Sequence, residues 1–267
     1  TNAVTLVQNG SDKIGGSTVN VVLSTEGLAV TLVYVDATQG WLVTDSGLQS
    51  EATAPEYITA TGGTPTTSPC GDFKIHTFTG PGTFTVCSVG NPAGSDSIDY
   101  LVVAGGGGGG SQGGGGGGAG GMRFSSSTYT TPACSAPRTG TALPVSVQGY
   151  GVVIGGGGAG AASPGAGPGG TGSNGVNTTF STIISTGGGG GGRSQNTTGP
   201  GNENGNTGGS GGGTGKNRQQ TAAAGNTPPV SPSQGFPGGP VTYCTSTGGG
   251  GGGGAGVAGT SGHGPGT

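Results

Sequence analysis

Residues 99–118 read Asp99-Tyr100-Leu101-Val102-Val103-Ala104, then six glycines (Gly105 to Gly110), then Ser111 and Gln112, then six more glycines (Gly113 to Gly118). This stretch decides the fold, because its unit, a short apolar run feeding a glycine tract, returns down the chain. Gly149-Tyr150-Gly151-Val152-Val153-Ile154 precedes Gly155 to Gly158. Phe180 to Thr186 precedes Gly187 to Gly192, and Val241 to Thr247 precedes Gly248 to Gly254. A further tract, Gly208 to Gly213, is broken only by Ser210. Recurrence of one unit marks a repeat architecture. The polar inserts between tracts vary freely in length and sequence.

A glycine tract can be a flexible linker, but these tracts would join nothing foldable. The other reading is an extended threefold helix. Such a helix has no internal hydrogen bonds, so neighbouring helices must satisfy every N–H and C=O. Ordering glycine is entropically expensive, and only a close-packed array of several helices offsets it. Six residues span roughly 19 Å at about 3.1 Å each. The expected array is therefore short and blocky, with the polar inserts at its two ends and the apolar lead-ins sealing its outer faces.

Composition excludes the common alternatives. Glycine (72) and proline (17) make up one third of 267 residues, and only 28% are hydrophobic, so an aliphatic core cannot span the chain. Only 6% are charged, unlike a charged disordered tail. Collagen needs glycine at every third position, not six or seven together. No apolar run approaches a membrane span, and no signal peptide is visible. The chain starts at Thr1 and not at Met, which reads as a processed or partial piece of something longer.

Charge divides the chain near residue 100. Residues 1–100 hold Lys13 and Lys74 against nine carboxylates (2 − 9 = −7), and residues 101–267 hold five cations against Glu203 alone (5 − 1 = +4). Five dilute cations make no phosphate-binding stripe, so nucleic acid is not an expected partner. The cysteines are Cys70, Cys87, Cys134 and Cys244, with no C-x-x-C pair, which speaks against zinc or a redox motif. An even count at wide spacing suits disulfides or free thiols. Cys70 and Cys87 flank the strand-like runs Asp72 to Phe78 and Thr83 to Val86, which a hairpin would bring together. Cys134 with Cys244 is the second candidate pair. A disulfide would place the protein outside a reducing cytoplasm.

Before residue 104 the chain reads as β-strands in two modules. In residues 1–50, Val4 to Val7, Val19 to Leu23, the β-branched run Leu28 to Val35 and Trp41 to Val43 are strands, with turns at Asn9-Gly10 and Gln39-Gly40. These bury too little surface to be stable alone. Homo-oligomerisation would supply the missing core; a small sandwich completed by residues 51–100 is the other reading. In residues 51–103, Tyr57 to Ala60, Phe73 to Phe78, Thr83 to Val86 and Asp99 to Val103 are strands, with a tight turn at Gly80-Pro81-Gly82. The domains expected are thus 1–50, 51–103 and the glycine-rich 104–267: an all-β amino-terminal part, an array of polyglycine type II helices, and almost no α-helix.

Catalytic motifs are absent. Gly-x-Gly-x-x-Gly matches inside glycine tracts carry no information. Thr214-Gly215-Lys216-Asn217 fails as a P-loop, because Asn217 stands at the magnesium-binding Ser/Thr position and Ser210 at the first Gly. His76 has no acid or cysteine beside it, and His263 sits in a Gly-rich tail. No Ser/His/Asp arrangement or carboxylate pair is present. The expectation is a non-enzyme without cofactor or metal.

Three groups of residues carry a resemblance. Asn9-Gly10-Ser11-Asp12-Lys13-Ile14, Leu23-Ser24-Thr25-Glu26-Gly27, Val30 to Tyr34 and Gly40-Trp41-Leu42-Val43 resemble a short β module of bacteriophage fibre proteins that forms homotrimers. Tyr57 to Gly63, Phe73 to Phe78 and Asp99 to Gly105 resemble the glycine-rich domain of marine and cyanobacterial phage structural proteins. The alternation of glycine tracts and variable inserts is similar to the distal adhesins of T-even-like phages. Those adhesins stack polyglycine type II helices and bind host receptors through loops. The amino-terminal section does not match the fibre-attachment domain of those adhesins, so the resemblance implies a trimeric fibre tip more than a monomeric cap.

What the resemblance implies is a virion protein, extracellular, that sits on an upstream fibre or virion protein and recognises a host surface polysaccharide or outer-membrane protein, with no membrane insertion. A capsid-decorating head fibre and a secreted bacterial matrix protein are the rival readings. Binding residues belong in the inserts, since function concentrates on loops held by a rigid scaffold. The candidates are Phe124, Tyr129, Arg138, Arg193, Arg218, Gln219 and Phe236. Aromatics stack on sugars or apolar patches, and Arg pairs with phosphate or carboxylate. The three aromatics equally suit a covering role on the sides of the array.

Overall fold

The computed structural model describes residues 3–25, 27–48, 56–91, 94–126, 139–162, 170–194, 203–216, 220–242 and 248–262. Among them the chain is all-β with no α-helix, and it forms two compact units: Thr1–Tyr57 with Gly90–Ser95, and Ile58–Val89 with Asp96–Thr267.

The first unit holds two antiparallel pairs. β1 (Val4–Leu6) pairs with β2 (Val21–Leu23), and β3 (Leu28–Asp36) pairs with β4 (Gly40–Leu48). The β3–β4 turn is closed by the Asp36 carboxylate, which accepts from the N–H groups of Thr38 and Gln39. Gly40 has φ +73°, and a Cβ there would lie 2.0 Å from the Lys13 carbonyl, so no other residue fits. Tyr34 and Trp41 pair across the strands, edge to face at 5.5 Å. Gly40 is the one buried residue among those described in 3–48, while Val4, Val7, Val22, Val33, Val35 and Val43 are exposed.

The second unit begins with β5 (Thr59–Thr61), β6 (Thr64–Thr67), β7 (Lys74–Thr77), β8 (Gly82–Ser88), β9 (Ser97–Ile98) and β10 (Leu101–Val103). It continues with β11 (Met122–Ser125), β12 (Thr139–Gly140), β13 (Leu143–Pro144), β14 (Gly149–Val153), β15 (Thr178–Phe180) and β16 (Ile183–Ser185). The largest sheet has the order β16-β15-β14-β8-β5; β10-β11-β12, β6-β7 and β9-β13 form smaller ones. Alternation along β8 and β14 buries Phe84, Val86, Tyr150 and Val152, and Phe78, Ile98, Ile154 and Phe180 pack against them. Phe84 meets Phe180 at 6.0 Å and His76 at 5.2 Å, both edge to face. His76 Nδ1–H donates to the Gly62 carbonyl, 2.8 Å away.

β7 does not form a hairpin with β8, as its sequence neighbour would allow. It pairs with β6, and β8 pairs with β5 and β14. Cys70 therefore lies at the tip of the β6–β7 ladder and Cys87 in a different sheet. The Cys70–Cys87 disulfide is not made: both are free, exposed thiols. Cys134 and Cys244 lie outside the described residues.

The glycine tracts pack as polyglycine type II helices, and their hydrogen bonds display the threefold period. In tract 104–111, the N–H groups of Ala104, Gly107 and Gly110 donate to the carbonyls of Gly121, Gly118 and Gly115. Those of Gly105, Gly108 and Ser111 donate to Val176, Ser173 and Gly170. The Gly106 and Gly109 carbonyls accept from Gly158 and Ala161, and the Gly105 and Gly108 carbonyls from Gly188 and Gly191. Each neighbour is met every third residue. Tracts 113–121 and 170–177 run antiparallel to 104–111, and tracts 155–162 and 186–194 run parallel to it.

Tract 208–215 is wholly buried and bonds to tracts 113–121, 186–194, 203–206, 234–241 and 248–254. Such packing leaves no room for side chains. A Cβ would lie 2.0 Å from a neighbouring carbonyl oxygen at Gly108, Gly191 and Gly213. Where a side chain does enter, its polar atom is bonded: Ser210 Oγ donates to Gly254 O at 3.1 Å and Thr214 Oγ1 to Gly239 O at 3.3 Å.

Several helices of the array are not glycine tracts in sequence. Tracts 170–177, 234–241 and 257–262 carry glycine at a threefold spacing, at Gly172 and Gly175, Gly235 and Gly238, and Gly259 and Gly262, with Gly170 and Gly239 besides. At all six threefold positions a Cβ would lie within 2.5 Å of a neighbouring carbonyl oxygen. The side chains between them face outward or bond the array. Asn177 Oδ1 accepts from Gly187 N and Asn174 Oδ1 from Gly190 N, both at 2.9 Å and three residues apart. Gln234, fully buried, accepts from Thr186 N at Oε1 and donates to Thr186 Oγ1 and Pro228 O from Nε2.

The register gives the array two distinct ends. The lead-in strands β10, β14 and β16 all enter it at one end. There they bury Val102, Val152 and Ile183 while Leu101, Val103, Val153 and Ile184 stay exposed. The apolar lead-ins thus gather at an end of the array rather than sealing its sides. The reason is that a sheet continues directly into a threefold helix along the same axis, so its side chains lie beyond the glycines and not over them.

Candidate functional site

At the opposite end, tracts 104–111, 155–162, 186–194, 208–216 and 234–242 finish, and their successors 113–121, 170–177, 203–206, 220–225 and 248–254 start. The shortest connection is Ser111-Gln112-Gly113-Gly114. Gly114 N donates to Ser111 O at 3.0 Å, with φ +57° at Gln112 and +80° at Gly113. Both central residues are left-handed, as a two-residue reversal of this hand requires. The Lys216 stem lies over the bare face of Gly113, and Lys216 N donates to Gly113 O at 3.2 Å. Ser111 Oγ accepts from Gly170 N at 2.8 Å, and Ser111 O accepts from Ser194 N at 3.4 Å.

The same end carries Arg193, between the buried Gly192 and Ser194, with its carbonyl packed on Gly215. Glu203 lies one tract away. Its carbonyl accepts from Gly215 N at 2.7 Å, its side chain is 2% exposed, and Oε2 accepts from Gln220 Nε2 at 3.3 Å. Arg193, Glu203 and Lys216 are therefore brought to one end by the register, with Ser111, Gln112 and Gln220 around them. Arg123 is at the strand end, reaching Ile184 O at 3.5 Å. The loop end can offer hydrogen-bond donors and positive charge on a rigid base. Among the described residues no three His, Cys, Asp or Glu side chains are grouped as metal ligands.

The sequence-derived candidates separate. Arg193 is at the loop end. Phe124 lies in β11 at the strand end, half-buried and paired with Leu101. Phe236 is also toward the strand end, half-buried, its carbonyl accepting from Gly211 N at 2.9 Å. Tyr129, Arg138, Arg218 and Gln219 lie outside the described residues. Lys216, Glu203, Gln220 and Gln112 were not among the candidates. The signal for Glu203 was present, since it is the lone carboxylate after residue 100. For the others only the tract register shows that they share an end.

Neither a curated protein nor a solved structure matches the chain. The family model of the glycine-rich domain matches residues 78–267, which is well over half of the chain and covers the whole array with β8 and the lead-in strands β10, β14 and β16. The chain belongs to the glycine-rich domain family.

Proposed function

We propose that this protein is a non-catalytic virion fibre component, a tail-fibre tip that recognises a host-cell surface receptor through the connections between its polyglycine helices. The observation that carries the reading is the gathering of successive tract connections, with Arg193, Lys216 and Glu203, at one end of a rigid array. A rigid base with variable, polar connections is how recognition loops are usually held. The ligand that suits this end is a surface polysaccharide or outer-membrane protein offering phosphate, carboxylate or hydroxyl groups, which Arg and Lys pair with. The extracellular virion is the matching location.

The first unit fits a homotrimerisation role. Two-stranded pairs with exposed valines on both faces are not stable alone, and copies of the same chain would cover them. An upstream fibre or virion protein would hold the assembly.

The test is binding of labelled, folded protein to intact cells across a panel of bacterial strains. Binding to a subset, lost in Arg193→Ala with Lys216→Ala while the melting temperature holds, supports the reading. Strain-independent absence of binding from a folded, oligomeric sample sinks it for that panel and favours a head-decorating or matrix protein.

A further inference from the structure

Around tract 104–111 the four bonded neighbours occupy consecutive positions of a hexagonal lattice. In ring order they are 155–162, 170–177, 186–194 and 113–121, because each of these also bonds to the next. Donating and accepting directions alternate around the ring: the tract accepts from 155–162, donates to 170–177, accepts from 186–194 and donates to 113–121. Two adjacent positions remain, between 113–121 and 155–162. The backbone groups that would serve the position beside 155–162 are present and unused. Among the described residues, the N–H groups of Gly106 and Gly109 and the carbonyls of Gly158 and Ala161 make no hydrogen bond.

A second observation is independent of the bonding. Inside the array glycine is required because a Cβ would strike backbone. At Gly156 a Cβ would meet nothing within 4 Å. At Gly106, Gly109, Gly157 and Gly160 it would meet only backbone at 3.6 Å or more, which is ordinary contact. Packing within this chain does not demand glycine at these positions, and glycine there carries its full entropic penalty. A bare face with unused donors and acceptors at threefold spacing is the helical counterpart of an open sheet edge, which templates pairing with another chain.

We propose that the face formed by tracts 104–111 and 155–162 is a lateral docking surface for the same face of a second copy of this chain. The partner must be an extended threefold helix with no side chains on its approach side, and the chain itself supplies one. Across a twofold axis the unused donors of Gly106 and Gly109 meet the unused carbonyls of Gly158 and Ala161 of the second copy, and the reverse, so the face is self-complementary. Both strand directions already occur in the array, so an antiparallel meeting needs no new geometry.

The experiment uses the full chain with benzoylphenylalanine at position 156, mixed as light and ¹⁵N-labelled copies, irradiated and mapped by mass spectrometry. The expected result is links between copies that fall in 104–111 or 155–162. Gly157→Gln with Gly160→Gln should leave the melting temperature unchanged and weaken this association at least about tenfold, the consequence of losing one or two backbone hydrogen bonds. Gly157→Ala, which fits its own chain, is the milder variant should the double one fold poorly. Links confined within single copies overturn the proposal. So do links between copies that fall only on residues 28–44, which would report association through the first unit and leave that reading standing.

Discussion

Replacing Gly191 by Ala tests the close-packed array directly. A Cβ at Gly191 would lie 2.0 Å from the Gly115 carbonyl oxygen and 2.9 Å from Gly110 N. Ordinary contact begins near 3.4 Å, so backbone must move by more than an ångström. The groups that would move are bonded: Gly191 N donates to Gly108 O at 2.8 Å, Gly191 O accepts from Gly172 N at 2.9 Å, and Gly115 N donates to Gly192 O at 2.8 Å. Overpacking costs about 1–3 kcal/mol, and weakening two such bonds adds about 0.5–1.5 kcal/mol each. The total is about 2–6 kcal/mol, or a fall of about 4–24 °C in melting temperature for a domain of this size. Gly156→Ala is the matched control, since nothing lies within 4 Å of its Cβ. It should gain about 0.4–1 kcal/mol through the unfolded chain, a change of opposite sign. Calorimetry at fixed protein concentration reads both. If Gly191→Ala and Gly156→Ala melt within about 2 °C of each other, the tracts are not packed backbone to backbone and the reasoning fails.

Other consequences concern single side chains. Asn177→Ala should cost about 1–3 kcal/mol in denaturant unfolding, because it leaves the buried N–H of Gly187 without its acceptor; Asn177→Asp keeps an oxygen there and should recover part of the loss. Gln234→Leu should cost about 2–4 kcal/mol, since Thr186 N and Oγ1 and Pro228 O lose their shared partner in a fully buried place. Cys70 should be alkylated with a pH midpoint below that of an ordinary cysteine thiol. The Ser68 hydroxyl, 3.3 Å from its sulfur, and then the Asp72 backbone favour the thiolate. Ser68→Ala should move the midpoint up; an unchanged midpoint, followed by mass spectrometry on the Cys70 peptide, would remove that hydroxyl from the account.

Much of the fold was legible in the chain, and the limits were physical. Apart from β6, the β-strands before residue 89 follow from β-branched runs and turn residues, and β3, β5, β7 and β8 fall where those runs are. Pairing was not legible. β7 joins β6, whose sequence Thr64-Pro65-Thr66-Thr67 has no apolar alternation to announce a strand, and this separates Cys70 from Cys87. The inserts 170–177 and 234–241 read as polar loops, because a threefold helix at the rim of the array needs glycine only where it faces inward. The spacing Gly172-x-x-Gly175, repeated as Gly235-x-x-Gly238 and Gly259-x-x-Gly262, was the available signal.

The sequence by itself determined that the glycine tracts are structural. With 72 glycines and little apolar surface, order can come only from backbone hydrogen bonds between side-chain-free helices. It could not determine which helix meets which. Every glycine presents the same N–H and C=O, so the tracts carry no label for their neighbours. The tertiary structure makes that choice, through the lengths of the connections, the entering strands β10, β14 and β16, and a few side chains such as Asn174, Asn177 and Gln234 that fit one register. From that choice follow the packing within one chain and the gathering of Arg193, Glu203 and Lys216 at one end.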